Sequence, residues 1–83
     1  MTREEVFTLV RTHLADELGV EPDLVREGTR FKEDLEADSL DLYELVMELE
    51  DSYGVKISDE DASRILTVGQ AVDFVLAQGV GNA

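Results

Sequence analysis

The sequence predicts an all-α domain of four helical segments, three longer and one short, with a long first connection. Three observations carry this. Apolar residues recur at three- and four-residue spacing in separate stretches. Two of these stretches open on Thr with Glu or Gln three residues later, the spacing of a capping box. No stretch shows the period-two alternation of a half-buried strand. With 83 residues there is room for one core, and with no cysteine that core must be held by helix packing alone.

The first helix opens at Thr2, three residues before Glu5, and runs to about Leu18, where Gly19 stops it. Val6, Leu9, Val10, Leu14 and Leu18 form its buried face, and His13 lies within the same arc as a partly buried structural residue. The connection from Gly19 to Asp38 holds the single proline, Pro22, and offers Leu24, Val25, Phe31 and Leu35 as anchors into the core. A loop this long in a small domain is usually functional. The second helix spans about Ser39 to Tyr53 and ends before Gly54, with Ser39 at its start, where an N-cap is the commonest role for a serine. Ser58 caps a short helix over Asp59 to Arg64. The last helix starts at Thr67, boxed by Gln70, ends near Gln78 and buries Val68, Ala71, Val72 and Val75. The domain is expected to occupy residues 1–78, with 79–83 as a flexible tail.

Charge excludes several functions. A net charge of −13 repels nucleic-acid phosphate and anionic membranes, and it favours protein partners with basic patches. No apolar run approaches the roughly 18 residues a membrane span requires, and the N-terminus lacks a signal pattern. A cytoplasmic monomer is the expectation.

The second helix carries two faces. Leu42, Leu45, Val46, Leu49 and Tyr53 share one arc, which is core. Leu40, Tyr43 and Met47 form a narrow apolar stripe on the other side, flanked by Asp41, Glu44, Glu48 and Asp51. From Glu33 to Val55 there are nine acidic residues and no Lys or Arg, so the repulsion is not relieved by helical i,i+4 pairs. A one-signed charge run is most often a solvated face. Its coincidence with exposed apolar residues points instead to a docking surface, with Met47 suited to varied partners.

Catalysis finds little support. Ser39 has no evident base, since Asp38 is its chain neighbour and His13 is the single histidine. Asp34, Glu36 and Asp38 mimic the start of a calcium loop, but the turn glycine would fall at Ser39 and the bidentate glutamate at Leu45. No metal is expected.

The string Asp38-Ser39-Leu40-Asp41, continued by Leu42-Tyr43-Glu44-Leu45-Val46-Met47-Glu48-Leu49-Glu50, closely resembles the attachment motif and recognition helix of the acyl carrier proteins. The segments Phe31 to Leu35, Ile57 to Ala62 and Leu66 to Val75 resemble the same family in register, so the resemblance covers essentially the whole chain. It implies a compact four-helix bundle with a long first loop, in which Ser39 accepts 4′-phosphopantetheine from coenzyme A in a reaction run by a separate phosphopantetheinyl transferase. The arm's thiol then carries acyl groups as thioesters, which accounts for a thioester carrier with no cysteine. The resemblance further implies that Asp38, Asp41, Glu44, Met47 and Glu48 meet the basic patches of partner enzymes, and the apolar stripe adds Leu40 and Tyr43. Those partners would be the transferase and acyl-transferring enzymes, most directly those of fatty acid synthesis. The resemblance also suggests an acyl chain sheltered between helices, with Phe31, Leu45, Val46, Leu49, Ile57, Ala62, Ile65, Leu66, Ala71 and Val72 as candidate lining. The same residues read equally as plain core. The chain departs from the family at Glu36, where glycine is usual, at Tyr43, usually a small aliphatic, and at Glu48, usually alanine. Two other readings stand beside fatty acid synthesis: a specialised carrier for polyketide, aminoacyl or lipid-tailoring chemistry, and an acidic adaptor in which Ser39 is only a cap.

Overall fold

The computed structural model describes residues 2–78, so the tail expected at 79–83 lies outside the described residues. Four α-helices follow one another: α1 (Arg3–Leu18), α2 (Ser39–Tyr53), α3 (Asp59–Arg64) and α4 (Val68–Ala77). A 3₁₀ turn, Pro22–Leu24, interrupts the connection between α1 and α2. Among the described residues the nearest thing to a strand is one isolated antiparallel bridge between Arg30 and Thr67.

Each helix begins where a side chain satisfies a backbone donor that would otherwise be orphaned. Thr2 Oγ1 accepts from the Glu5 N–H at 3.1 Å, and Glu4 and Glu5 sit at the positive end of the α1 dipole. Ser58 Oγ accepts from the Asp61 N–H at 3.1 Å and starts α3. Thr67 and Gln70 form a full capping box on α4, with Gln70 N–H donating to Thr67 Oγ1 at 3.2 Å and Thr67 N–H to Gln70 Oε1 at 3.1 Å. The stops are equally local: Gly19 and Gly54 take φ of 68° and 67°, the left-handed conformation that releases α1 and α2.

Burial follows the helical period. Val6, Val10 and Leu14 of α1 face Val68, Ala71, Val72 and Val75 of α4, all buried, and this pair forms the main helix contact of the bundle. Leu45 and Leu49 of α2 close the core, and Val25, Phe31, Leu35 and Ala37 enter it from the long connection. Leu9 and Leu18 are only half-buried, at the edge of the arc the sequence assigned to α1.

The connection is tied down by its own backbone. Val68 N–H donates to Thr29 O at 3.0 Å, Phe31 N–H to Leu66 O at 3.1 Å, and Gly69 N–H to Glu27 O at 2.8 Å. Buried Thr29 accepts from the Arg26 N–H at 2.8 Å and donates to Leu24 O at 3.2 Å. Arg3 pairs with both Glu27 and Asp73, joining α1, the connection and α4. One expected anchor fails: Leu24 is 60% exposed. It ends the 3₁₀ turn with its side chain outward, and the next residue, Val25, returns to extended backbone and fills the core instead.

Candidate functional site

The structure gives α2 the expected span, Ser39–Tyr53, and separates the cap from the serine. The N-cap is Asp38, not Ser39. Asp41 N–H donates to Asp38 Oδ1 at 2.9 Å, and Asp38 N–H donates to Asp41 Oδ2 at 3.1 Å, a reciprocal box between two aspartates. Ser39 is therefore the first residue of the helix, exposed, and its hydroxyl makes no hydrogen bond among the described residues. A cap serine would have its oxygen committed to the helix. Here the oxygen is free.

Beside Ser39 runs a surface groove of about 270 Å³ between the connection, α2 and α3, lined by Lys32, Leu42, Tyr43, Val46, Asp59, Ala62 and Ser63. A second, smaller cleft of about 60 Å³ shares Lys32 and Leu42 with it and is lined further by Phe31, Glu33, Ile65 and Leu66. Free hydroxyl, one cation and apolar walls are a donor set that fits a phosphodiester at Ser39 with a long, thin arm running from it.

The outer face of α2 carries Leu40, Tyr43 and Met47 at 63%, 57% and 49% exposure. Three of the acids set beside this stripe turn toward α1. Glu44 is half-buried, and its carboxylate lies within 4.8 Å of those of Glu17 and Asp41. The hydrogen bond with Glu44, followed by partial desolvation and the charges of Glu44, Asp41 and Asp16, holds the Glu17 carboxyl above its ordinary range. Glu48 accepts from Ser52 Oγ at 3.3 Å and lines an α1/α2 groove of about 580 Å³ with Glu5, His13, Asp16 and Tyr53. In that groove burial, then Glu5 and Glu48, raises the Tyr53 phenol, and His13 Nε2 is buried without a hydrogen-bond partner among the described residues.

A family model for the phosphopantetheine attachment site matches residues 8–75. The acyl carrier protein of Rubrobacter xylanophilus is 51% identical over 76 residues, covering 92% of this chain and 94% of that one. The solved structure of the acyl carrier protein from Enterococcus faecalis superposes with a TM-score of 0.81 at 46% identity, over 94% of this chain and 99% of that one. This chain belongs to the acyl carrier proteins.

It is accordingly a carrier and not an enzyme, and its cofactor is covalent 4′-phosphopantetheine. The ten residues considered for an acyl pocket divide. Leu45, Leu49, Ile57, Ala71 and Val72 lie in the core; Phe31 and Ile65 are buried and also reach the small cleft; Val46 and Ala62 line the groove beside Ser39. Leu66 is 59% exposed and stands at the cleft's mouth rather than in the interior, its N–H donated to Gln70 Oε1 at 2.7 Å.

One feature near Ser39 escaped the sequence and another was flagged in it. Lys32 lines both cavities, which depends on how the connection folds back over α2 and has no signature in the local string. Glu36 takes φ of 55°, the one non-glycine residue with positive φ among those described. Its signal was present, since glycine is the usual residue of the family at this position.

Proposed function

We propose that Ser39 Oγ is the atom that bears the phosphopantetheine arm, and that the carrier serves fatty acid synthesis as a cytoplasmic monomer. The observation that carries the attachment reading is the free hydroxyl: Asp38 and Asp41 satisfy the helix start between them, leaving the Ser39 oxygen exposed and uncommitted. Esterification there adds no charge to the interior and breaks no cap. The first-turn N–H groups and the positive end of the α2 dipole favour an anion at that position. The arm supplies the thiol on which acyl groups ride as thioesters, a group this cysteine-free chain lacks. The chain's own part is to present Ser39 to a transferase and then present the loaded arm to acyl-transferring enzymes. Leu40, Tyr43 and Met47 offer apolar contact on the outer face of α2, while Asp38, Asp41, Glu44 and Glu48 supply a field that attracts basic patches.

Incubation with coenzyme A and a broad-specificity phosphopantetheinyl transferase tests the reading. The intact mass should rise by one phosphopantetheine, and Ser39→Ala should abolish the gain while circular dichroism stays unchanged. A mass gain in the alanine variant would place the attachment elsewhere. The acyl group found on protein purified from its native host decides between fatty acid synthesis and a specialised pathway.

A further inference from the structure

We propose that Lys32 is a positioning residue for the arm: its ammonium pairs with the phosphodiester on Ser39 and holds the start of the arm in the groove between α2 and α3. The proposal rests on attachment at Ser39 and goes beyond it.

Seven cations face twenty acids in this chain, so an unpaired cation beside acidic residues calls for an explanation. Arg3, Arg30 and Arg64 are each engaged by carboxylates, Arg11 and Arg26 donate to the carbonyls of Val25 and Asp23, and Lys56, like Lys32, has no carboxylate partner among the described residues. Lys32 makes no ion pair and no side-chain hydrogen bond among the described residues, although Glu33 adjoins it in the chain. Arg30 takes both Glu33 and Asp34. What Lys32 does instead is line the groove that holds Ser39, where it is the one cationic side chain.

The electrostatics of the arm make that position consequential. A phosphodiester carries one negative charge, and at Ser39 it would stand among Asp38, Asp41 and Asp59, none with a cation of its own in an ion pair among the described residues. Their field pushes an anion outward, away from the surface. The N–H groups of the first turn of α2 oppose this, but Asp38 already occupies that of Asp41. A flexible ammonium at the groove wall supplies the missing attraction as a mobile point charge. Because Lys32 and Leu42 line both the groove and the smaller cleft, an arm held there is directed toward Phe31 and Ile65 rather than into solvent.

The test uses the holo-protein, prepared with a ¹³C-labelled arm for wild type, Lys32→Gln and Lys32→Arg. Nuclear Overhauser contacts from the arm's geminal methyls to Val46 and Ala62 report occupancy of the groove, and the phosphorus resonance reports the phosphodiester's surroundings. Occupancy should fall about two- to fivefold in Lys32→Gln, the size of an exposed charge pair. It should persist in Lys32→Arg, and about 0.5 M salt should weaken it in wild type but not in Lys32→Gln. Equal contacts and equal phosphorus shifts in all three proteins, or a wild-type arm without groove contacts, overturn the role of Lys32. Failure of the wild type to gain mass is a separate result, which removes the Ser39 attachment and this proposal with it.

Discussion

Asp38 and Asp41 cap each other. Each carboxylate accepts the other residue's backbone N–H, at 2.9 Å and 3.1 Å, so the start of α2 is closed without help from the serine between them. Two like charges are held close in return for two satisfied donors at the positive end of the helix dipole. The aspartates hold the start of the helix between them, and the serine hydroxyl is left without a partner among the described residues.

Removing the cap should therefore cost stability where removing the serine does not. Asp38→Ala is expected to lower the free energy of unfolding by about 1 kcal/mol, within the range of roughly 0.5–2 for a lost cap. Ser39→Ala should shift it by less than about 0.5 kcal/mol, as for an exposed position with no partner. Urea unfolding of both variants measures this. Equal losses would show that the serine shares the cap after all.

The sequence carried the caps better than it carried their assignment. Thr67 and Gln70 announced their box by spacing alone, and the structure has both bonds. At α2 two cap-type residues stand in a row, and the Asp38-to-Asp41 spacing, also a box, was the signal that should have favoured the first. Leu24 and Val25 could not be separated by hydropathy, because the choice depends on a 3₁₀ turn that Pro22 initiates. Lys32 was invisible for a different reason: its neighbours at the groove come from α2 and α3, and no local pattern encodes a tertiary wall.

Gly69 illustrates the same limit and yields a second prediction. It sits in the first turn of α4, where nothing in the string distinguishes it from a tolerated helix glycine. In the fold its N–H donates to Glu27 O at 2.8 Å, and a Cβ built there would stand 2.9 Å from that same oxygen. Gly69→Ala should gain helix propensity yet destabilise the domain by about 1–3 kcal/mol, because backbone on both sides must give way. Amide exchange at Thr29 to Phe31 should accelerate in the variant. A stability equal to or above wild type would show that the connection shifts freely.

Glu36 should show the opposite sign. At φ of 55° its side chain costs about 1–2 kcal/mol relative to ordinary backbone, and it makes no hydrogen bond or ion pair among the described residues to offset this. Glu36→Asn, which visits this region more readily and adds no glycine entropy to the unfolded chain, should raise the unfolding free energy by about 0.5–1 kcal/mol. Glu36→Val should lower it. Thermal melts of the two variants against wild type check both directions, and a gain from valine would contradict the left-handed assignment.

The Glu17, Glu44 and Asp41 carboxylates predict a pH dependence. The Glu17 carboxyl is raised above its ordinary 4.5 by Glu44 first and by desolvation second, so the folded state binds its proton more tightly than the unfolded chain does. That contribution is fully present below about pH 4.5 and is lost as pH rises through the raised value. Glu17→Gln removes the loss. The variant should match wild type most nearly in acid and exceed it at pH 7, and salt should narrow the gap by screening exposed charge. Urea midpoints at both pH values, at low and high ionic strength, decide it; a gap that is constant with pH would assign the effect to packing.

The outer face of α2 gives the last prediction, in which charge and apolar contact leave different kinetic signatures. Glu44 stands beside Glu17, so Glu44→Lys replaces repulsion with an attractive pair across α1 and α2, and the domain should be at least as stable as wild type. If the acids of α2 steer basic partners, the same change should slow modification by the transferase most at low ionic strength, where steering is strongest. Asp41→Lys is unsuited to this comparison, because it would also break the cap with Asp38. Met47→Ala removes apolar surface that is 49% exposed, so it costs the fold little and should act on dissociation, with a rate defect nearly independent of salt. Modification rates of the three proteins at low and high salt, with folding confirmed by circular dichroism, separate the two effects. Unchanged rates in both variants would move the docking surface off α2, leaving the exposed apolar residues of the long connection, Leu24 above all, as the face that partners meet.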